Sequence, residues 1–248
     1  MNDFTVKGIV LRAAPFKESS AVLTLLTAEH GKMSVVAQGV RKVKKSGLFA
    51  QPFSYSEFVL SKSKGLPICR SADLKEAFYG LREDMDRLAL GQYLLETSLL
   101  VGEEVNDGKD FLKLLLNSLY LLSEKGSGVS PAVIKVVYEL KFAYLCGYGV
   151  EPQTCIECGK EPLYWSSDDG FICGNCASGL FSAIHPVSPA VRKAIEHILT
   201  TDGKGAYLFK MSEKAFGELS TLSEKYLEAK TETHFRSLNF YSKLGAEE

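Results

Sequence analysis

Two pairs of cysteines, Cys155-Ile156-Glu157-Cys158 and Cys173-Gly174-Asn175-Cys176, stand fourteen residues apart in this chain, a C-x2-C-x14-C-x2-C pattern. Two residues between cysteines let both thiolates of a pair turn toward one point, and two such knuckles supply the four tetrahedral ligands of one structural zinc ion. Gly159 follows the first pair and Gly174 lies inside the second, where a missing Cβ eases a tight turn around sulfur. Between the pairs, Tyr164, Trp165 and Phe171 bracket Ser166-Ser167-Asp168-Asp169-Gly170, which predicts a small hairpin packed on the metal. So short a segment cannot build a core of its own, and structural zinc supplies on the order of 10 kcal/mol of folding free energy. A redox CxxC pair, a disulfide-bonded loop and an iron–sulfur site use the same thiols. Two matched pairs favour one shared ion, and four thiolates leave no open position for catalysis. Cys69 and Cys146 have no partner at motif spacing and read as small buried apolar side chains.

Charge divides the chain. Residues 1–70 hold 11 Lys and Arg against 4 Asp and Glu, a balance of +7, while the remainder holds 18 against 26, a balance of −8. The formal total of −1 conceals this division, and the front segment has the sign expected of a surface that meets a polyanion. Hydrophobic residues make up 46% of the chain, enough for one large domain or two or three small ones, and no stretch approaches the ~18 apolar residues of a membrane helix. The opening MNDFTVKGIVLR lacks a basic segment followed by an apolar one, so the expected location is the cytoplasm, where cysteines stay reduced.

Hydrophobic periodicity separates two regions. Residues 5–11, 21–27, 32–38, 55–61 and 66–72 alternate or form short runs rich in Val, Leu and Thr, with turn signals at Glu29-His30-Gly31 and Lys62-Ser63-Lys64-Gly65. Five short strands in so few residues predict a small closed barrel over residues 1–79, OB-like in first choice; an SH3-like barrel fits the same pattern. From residue 80 to 248 the period becomes helical, interrupted at 150–187 by the cysteine insert. Helix starts are predicted at Ser130-Pro131, Ser188-Pro189 and Ser212. The class is therefore α+β: a barrel, then an α-helical domain carrying a four-cysteine zinc-binding insert.

The strongest binding signal in the barrel is Arg41, Lys42, Lys44 and Lys45, four cations in five positions after the third strand, followed closely by Phe49, Phe53, Tyr55 and Phe58. Cations that track phosphates beside rings that stack on bases are the equipment of single-strand binding. Strand alternation sends Phe53 and Phe58 to the barrel core and leaves Phe49 and Tyr55 open. Gly39 with Lys45-Ser46 nearly forms a phosphate loop, but Lys44 stands where the second glycine must be. His30, His185, His197 and His234 fall in no metal-ligand or nucleophile pattern, and there is no G-x-S-x-G elbow. The reading is a binding protein rather than an enzyme, with a zinc-ribbon RNA-binding factor as the alternative.

In this order the parts resemble the RecO family of bacterial DNA repair and recombination proteins. The resemblance rests on Val6-Lys7-Gly8-Ile9-Val10-Leu11, the Gly39 to Ser46 basic stretch with Gln51-Pro52-Phe53 after it, the Cys155, Cys158, Cys173 and Cys176 cluster, and Phe235-Arg236-Ser237-Leu238. It implies an OB-fold, a helical domain and one structural zinc ion on those cysteines. It further implies binding of single- and double-stranded DNA, with Arg41, Lys42, Lys44 and Lys45 as contacts, and annealing of complementary strands. The partners it implies are RecR and the C-terminal tail of single-strand binding protein, with RecA loaded indirectly and no membrane involved. A nucleoid-associated cytoplasmic location goes with that role.

Overall fold

The computed structural model describes residues 3–40, 47–102, 107–168, 170–179 and 184–244. The period-two region folds as β1 (Asp3–Phe16), β2 (Ser20–Thr27), β3 (Gly31–Ala37), β4 (Tyr55–Ser61) and β5 (Ile68–Glu76), closed into a barrel in the order β1-β2-β3-β5-β4. Strand β1 serves two neighbours, pairing with β4 along its first half and with β2 along its second, and a bulge between Val10 and Arg12 bends it between them. Pairing is antiparallel except between β3 and β5, where Val36 meets Ile68 and Ala37 meets Cys69 in parallel. The five-stranded closed barrel is the OB-like form that was the first choice from the sequence. The strand β1 runs five residues beyond its expected end at Leu11, and β5 runs to Glu76 rather than Ala72. Alternation fills the interior with Val6, Val10, Leu23, Leu25, Val35, Phe58 and Leu60, and Ala50 from the 3-10 turn Leu48–Ala50 joins them.

The chain continues through α1 (Met85–Ser98), α2 (Lys109–Ser123), α3 (Pro131–Leu145), β6 (Tyr164–Ser166), β7 (Gly170–Ile172), α4 (Gly174–Ala177), β8 (Ile184–Pro186), α5 (Pro189–Thr200), α6 (Glu213–Thr231) and α7 (Arg236–Leu244). It forms two compact units, Met1–Lys125 with Arg236–Glu248, and Gly126–Phe235.

In the first unit the barrel is joined by α1, α2 and α7. The Asp84 carboxylate accepts from the amides of Asp86 and Arg87 and starts α1. At the start of α2, the Gly108 amide donates to Ala28 O at 2.9 Å. A Cβ at Gly108 would lie 2.3 Å from Thr27 O, so only glycine permits this approach to the β2–β3 turn. The closing helix α7 packs along α1, and Glu96 of α1 accepts from the amides of Arg236 at 3.3 Å and Ser237 at 3.0 Å, a carboxylate placed at a helix N-terminus.

The second unit is built on α3, α5 and α6. Helix α3 starts as read from the sequence, with the Ser130 hydroxyl accepting from Val133 N, and Ser212 does the same for α6 through Ala215 N. Helix α5 also begins where expected, but the Ser188 side chain makes no cap bond; instead the Ser188 amide donates to Glu218 at 2.7 Å. Between α3 and α6 lies a buried ionic cluster: Lys135 Nζ is 2.9 Å from Glu139 and 2.8 Å from Glu224, and the Ser223 hydroxyl donates to Glu139 at 2.6 Å. Burial pushes the Lys135 ammonium down, but the two carboxylates outweigh it and hold its pKa above the ordinary value.

Candidate metal centre and nucleic-acid interface

The four insert cysteines converge. Their Sγ atoms all lie within 4.8 Å of one another, and those of Cys158 and Cys173 are 3.5 Å apart. A tetrahedral zinc at about 2.3 Å from each sulfur needs S–S edges of about 3.8 Å, so the four sulfurs lie close enough to hold one ion, with shifts of up to about 1 Å in their spacing. The first knuckle is folded by two backbone bonds, Cys155 N to Lys160 O at 2.7 Å and Gly159 N to Cys155 O at 2.8 Å, with Gly159 at φ +71. The second is the first turn of α4, where Ala177 N donates to Cys173 O at 3.0 Å. Gly174 is different from its expected role: it is not among the left-handed glycines, and a Cβ there would meet Leu163 at an ordinary 3.7 Å.

The thiols differ in how readily they ionise. Burial pushes the Cys155 thiol up, yet hydrogen bonds from the amides of Cys173, Cys158 and Glu157 reverse this and bring it down to about 6. Cys173 is lowered in the same way, chiefly by the Cys176 amide. Cys176 is pushed up to about 12, first by its hydrogen bonds to the sulfurs of Cys158 and Cys173. Four thiolates this close cannot all lose their protons without a positive ion among them, which is the condition a tetrathiolate site meets. Cys69 and Cys146 stand apart, each pushed up to about 11 by burial, and neither is an activated thiol.

The expected hairpin is present as β6 and β7, paired Trp165 to Phe171, and β8 adds a third strand, paired Trp165 to His185, that the sequence reading did not identify. Trp165 and Phe171 are each 2% exposed. The Trp165 ring lies 6.4 Å from Tyr226 of α6, and Lys230 of the same helix donates to Asp168 O at 2.7 Å. The insert is thus seated on the helical framework of its own unit.

The basic stretch Arg41, Lys42, Lys44 and Lys45 lies outside the described residues. Its point of departure is defined: Ala37, at the end of β3, pairs with Ala21 of β2 and with Cys69 of β5. The described barrel exposes Lys7, Arg12, Lys17, Lys62, Lys64 and Arg70. Of the four aromatics marked out by the sequence, Phe58 and Phe49 pack in the barrel, Phe53 packs on α1, and Tyr55 lies on the face of β4 opposite Phe58. Phe58 is core, Phe49 is half-buried with its ring 6.3 Å from Phe58, and Phe53 is buried against Gly91 of α1. Tyr55 is half-buried, and burial leads the shift of its hydroxyl above the ordinary value. An aromatic the sequence reading passed over, Phe16, is exposed instead. Its signal was available, because Phe16-Lys17-Glu18-Ser19-Ser20 separates two apolar runs as a hairpin tip.

Among the described residues no helix is long and apolar enough to cross a membrane. Comparison with known proteins gives one consistent result. The family model for the recombination protein O N terminal region matches residues 1–78, and that for its C terminal region matches residues 82–239. A DNA repair protein RecO of Acetivibrio thermocellus is 32% identical, covering 98% of each chain. One of Caldicellulosiruptor saccharolyticus is 30% identical over 97% of this chain and 98% of its own, and one of Bacillus subtilis is 28% identical over 96% and 93%.

Proposed function

The chain belongs to the recombination protein O family, and from that premise we propose that it is a non-enzymatic mediator of DNA repair and homologous recombination. It binds single- and double-stranded DNA through the barrel and anneals complementary strands. With RecR it helps load RecA onto DNA coated by single-strand binding protein, whose C-terminal tail it recognises. The observation that carries this reading is the family match over both regions of a chain whose first 70 residues hold a balance of +7. Annealing needs no covalent step: cations between two strands screen phosphate repulsion and raise the rate at which complementary bases meet. Arg41, Lys42, Lys44 and Lys45 are the proposed DNA contacts, and the cytoplasmic nucleoid is the proposed location. Cys155, Cys158, Cys173 and Cys176 hold one zinc ion, which cross-links the insert and takes no part in chemistry.

The test is annealing of complementary strands coated with single-strand binding protein, across salt concentrations, with RNA of equal length as a second substrate. Annealing that is salt-sensitive and prefers DNA supports the reading. No acceleration over the uncatalysed rate refutes it, and a preference for RNA would favour the zinc-ribbon alternative.

A further inference from the structure

Strands β1 and β2 end in a hairpin that pairs Pro15 with Ala21 and Phe16 with Ser20. Residues two apart on a strand share a face, so Arg12, Ala14 and Phe16 point the same way. Their cross-strand partners extend this face over the sheet. Arg12 pairs with Thr24 and Thr24 with Ser34, while Ala14 pairs with Val22, Val22 with Val36, and Val36 with Ile68. The neighbours between them, Leu23, Val35 and Ala37, are barrel core, so these rows are the outside of the β1-β2-β3-β5 wall, with Arg12 exposed and the others half-buried. At the end of the apolar row the Phe16 ring is 39% exposed, and Lys17, turned by a left-handed φ of 52, holds its Nζ 5.3 Å over that ring. Glu18 also lies in this turn and offsets the charge of Lys17, so the tip is not simply a positive point. Its distinctive feature is a partly exposed phenyl ring, with the Lys17 ammonium over one side of it, next to the strand end from which the basic stretch departs.

We propose that Phe16 is the residue on which a base of single-stranded DNA stacks, with Arg12 and Lys17 holding the flanking phosphates. This rests on the DNA-binding reading above and adds the residue that reads the strand as single. Every base presents a π-face, so the contact is tolerant of sequence. In a duplex those faces are already stacked and must be pulled apart before they are available. Phe16 therefore separates single-stranded from double-stranded affinity, while the cations serve both.

The experiment uses the full chain, as wild type and as Phe16→Ala, Phe16→Leu and Phe16→Trp. Each is titrated by fluorescence anisotropy into labelled oligo(dT), an abasic strand of the same length, and a duplex. Phe16→Ala and Phe16→Leu, the second keeping an apolar side chain without a ring, are expected to bind oligo(dT) about tenfold more weakly. Their salt slope is expected to be unchanged, because phosphate contacts remain. Duplex and abasic affinities are expected to stay at the wild-type value, and Phe16→Trp to retain full single-strand affinity. Equal binding of oligo(dT) by wild type and both ring-less variants overturns the proposal, as does an equal loss on all three ligands. Wild type that fails to bind oligo(dT) in dilute buffer instead removes the DNA-binding reading, and this inference with it.

Discussion

Replacing Cys158 by Ser is expected to empty the metal centre and loosen the insert without melting the helices around it. Zinc in a four-ligand peptide site contributes about 10–16 kcal/mol, and sharing that over four thiolates gives roughly 2.5–4 kcal/mol each. Loss of one ligand should thus weaken zinc binding about 10² to 10³-fold. The remaining apolar support is small, since the buried cluster at the knot is Cys155, Ile172, Cys173 and Ala177. The chain provides its own reporter, because Trp165 is its single tryptophan and lies in β6 at 2% exposure. Zinc content by mass spectrometry, tryptophan emission and far-ultraviolet circular dichroism together decide the matter. Expected are one zinc per wild-type chain, little in the variant, a red shift of Trp165 emission and helical signal near wild type. Iron in the wild-type protein, or unchanged emission after zinc is removed, would refute the reasoning.

Two further expectations concern the framework. Lys135→Met takes from Glu139, which is fully buried, the ammonium that neutralises it, and is expected to cost about 3–5 kcal/mol by urea denaturation, with much of the loss recovered in a Lys135→Met, Glu139→Leu double variant. Because the Lys135 pKa is raised in the folded state, its contribution is complete below the ordinary lysine value of 10.5 and is lost as pH climbs through the higher folded value. The wild type should therefore weaken at strongly alkaline pH, and the double variant should lack that component. Glu96→Ala removes the acceptor for the first amides of α7 and is expected to cost about 1–2 kcal/mol, with faster amide hydrogen exchange confined to residues 236–244.

The barrel and the cysteine cluster were readable from the sequence because each rests on local rules. Strand alternation, the turns at Gly31 and Gly65, and the cysteine spacing act over a few residues, and the observed strands and Sγ cluster follow them. What escaped depends on residues distant in the chain. Helix α7 is started by Glu96, far back in α1, and β8 exists because Trp165 supplies a partner for His185. Phe53 was expected in the barrel core, but the neighbour it packs on, Gly91, belongs to a helix whose docking no periodicity reveals. Ser188 matched a cap signal, yet Glu218 of α6 took the amide, a choice that only the packed unit determines.

A chain with a net charge of −1 can still hold a polyanion, and the reason sets a limit on how it does so. At physiological salt the Debye length is about 8 Å, so a bound strand senses chiefly the cations it touches and little of the chain's formal total. At 0.01 M salt the length grows to about 30 Å, comparable with a whole domain, and the acidic remainder enters the field. Log affinity for oligo(dT) plotted against log salt should accordingly be linear near physiological salt and flatten at low salt. Charge reversal of Arg41, Lys42, Lys44 and Lys45 to Glu should reduce the linear slope by up to about 0.7 per lost phosphate contact. A plot that stays straight down to low salt, with a slope unchanged by the reversal, would mean that binding does not arise from the clustered cations of the front segment.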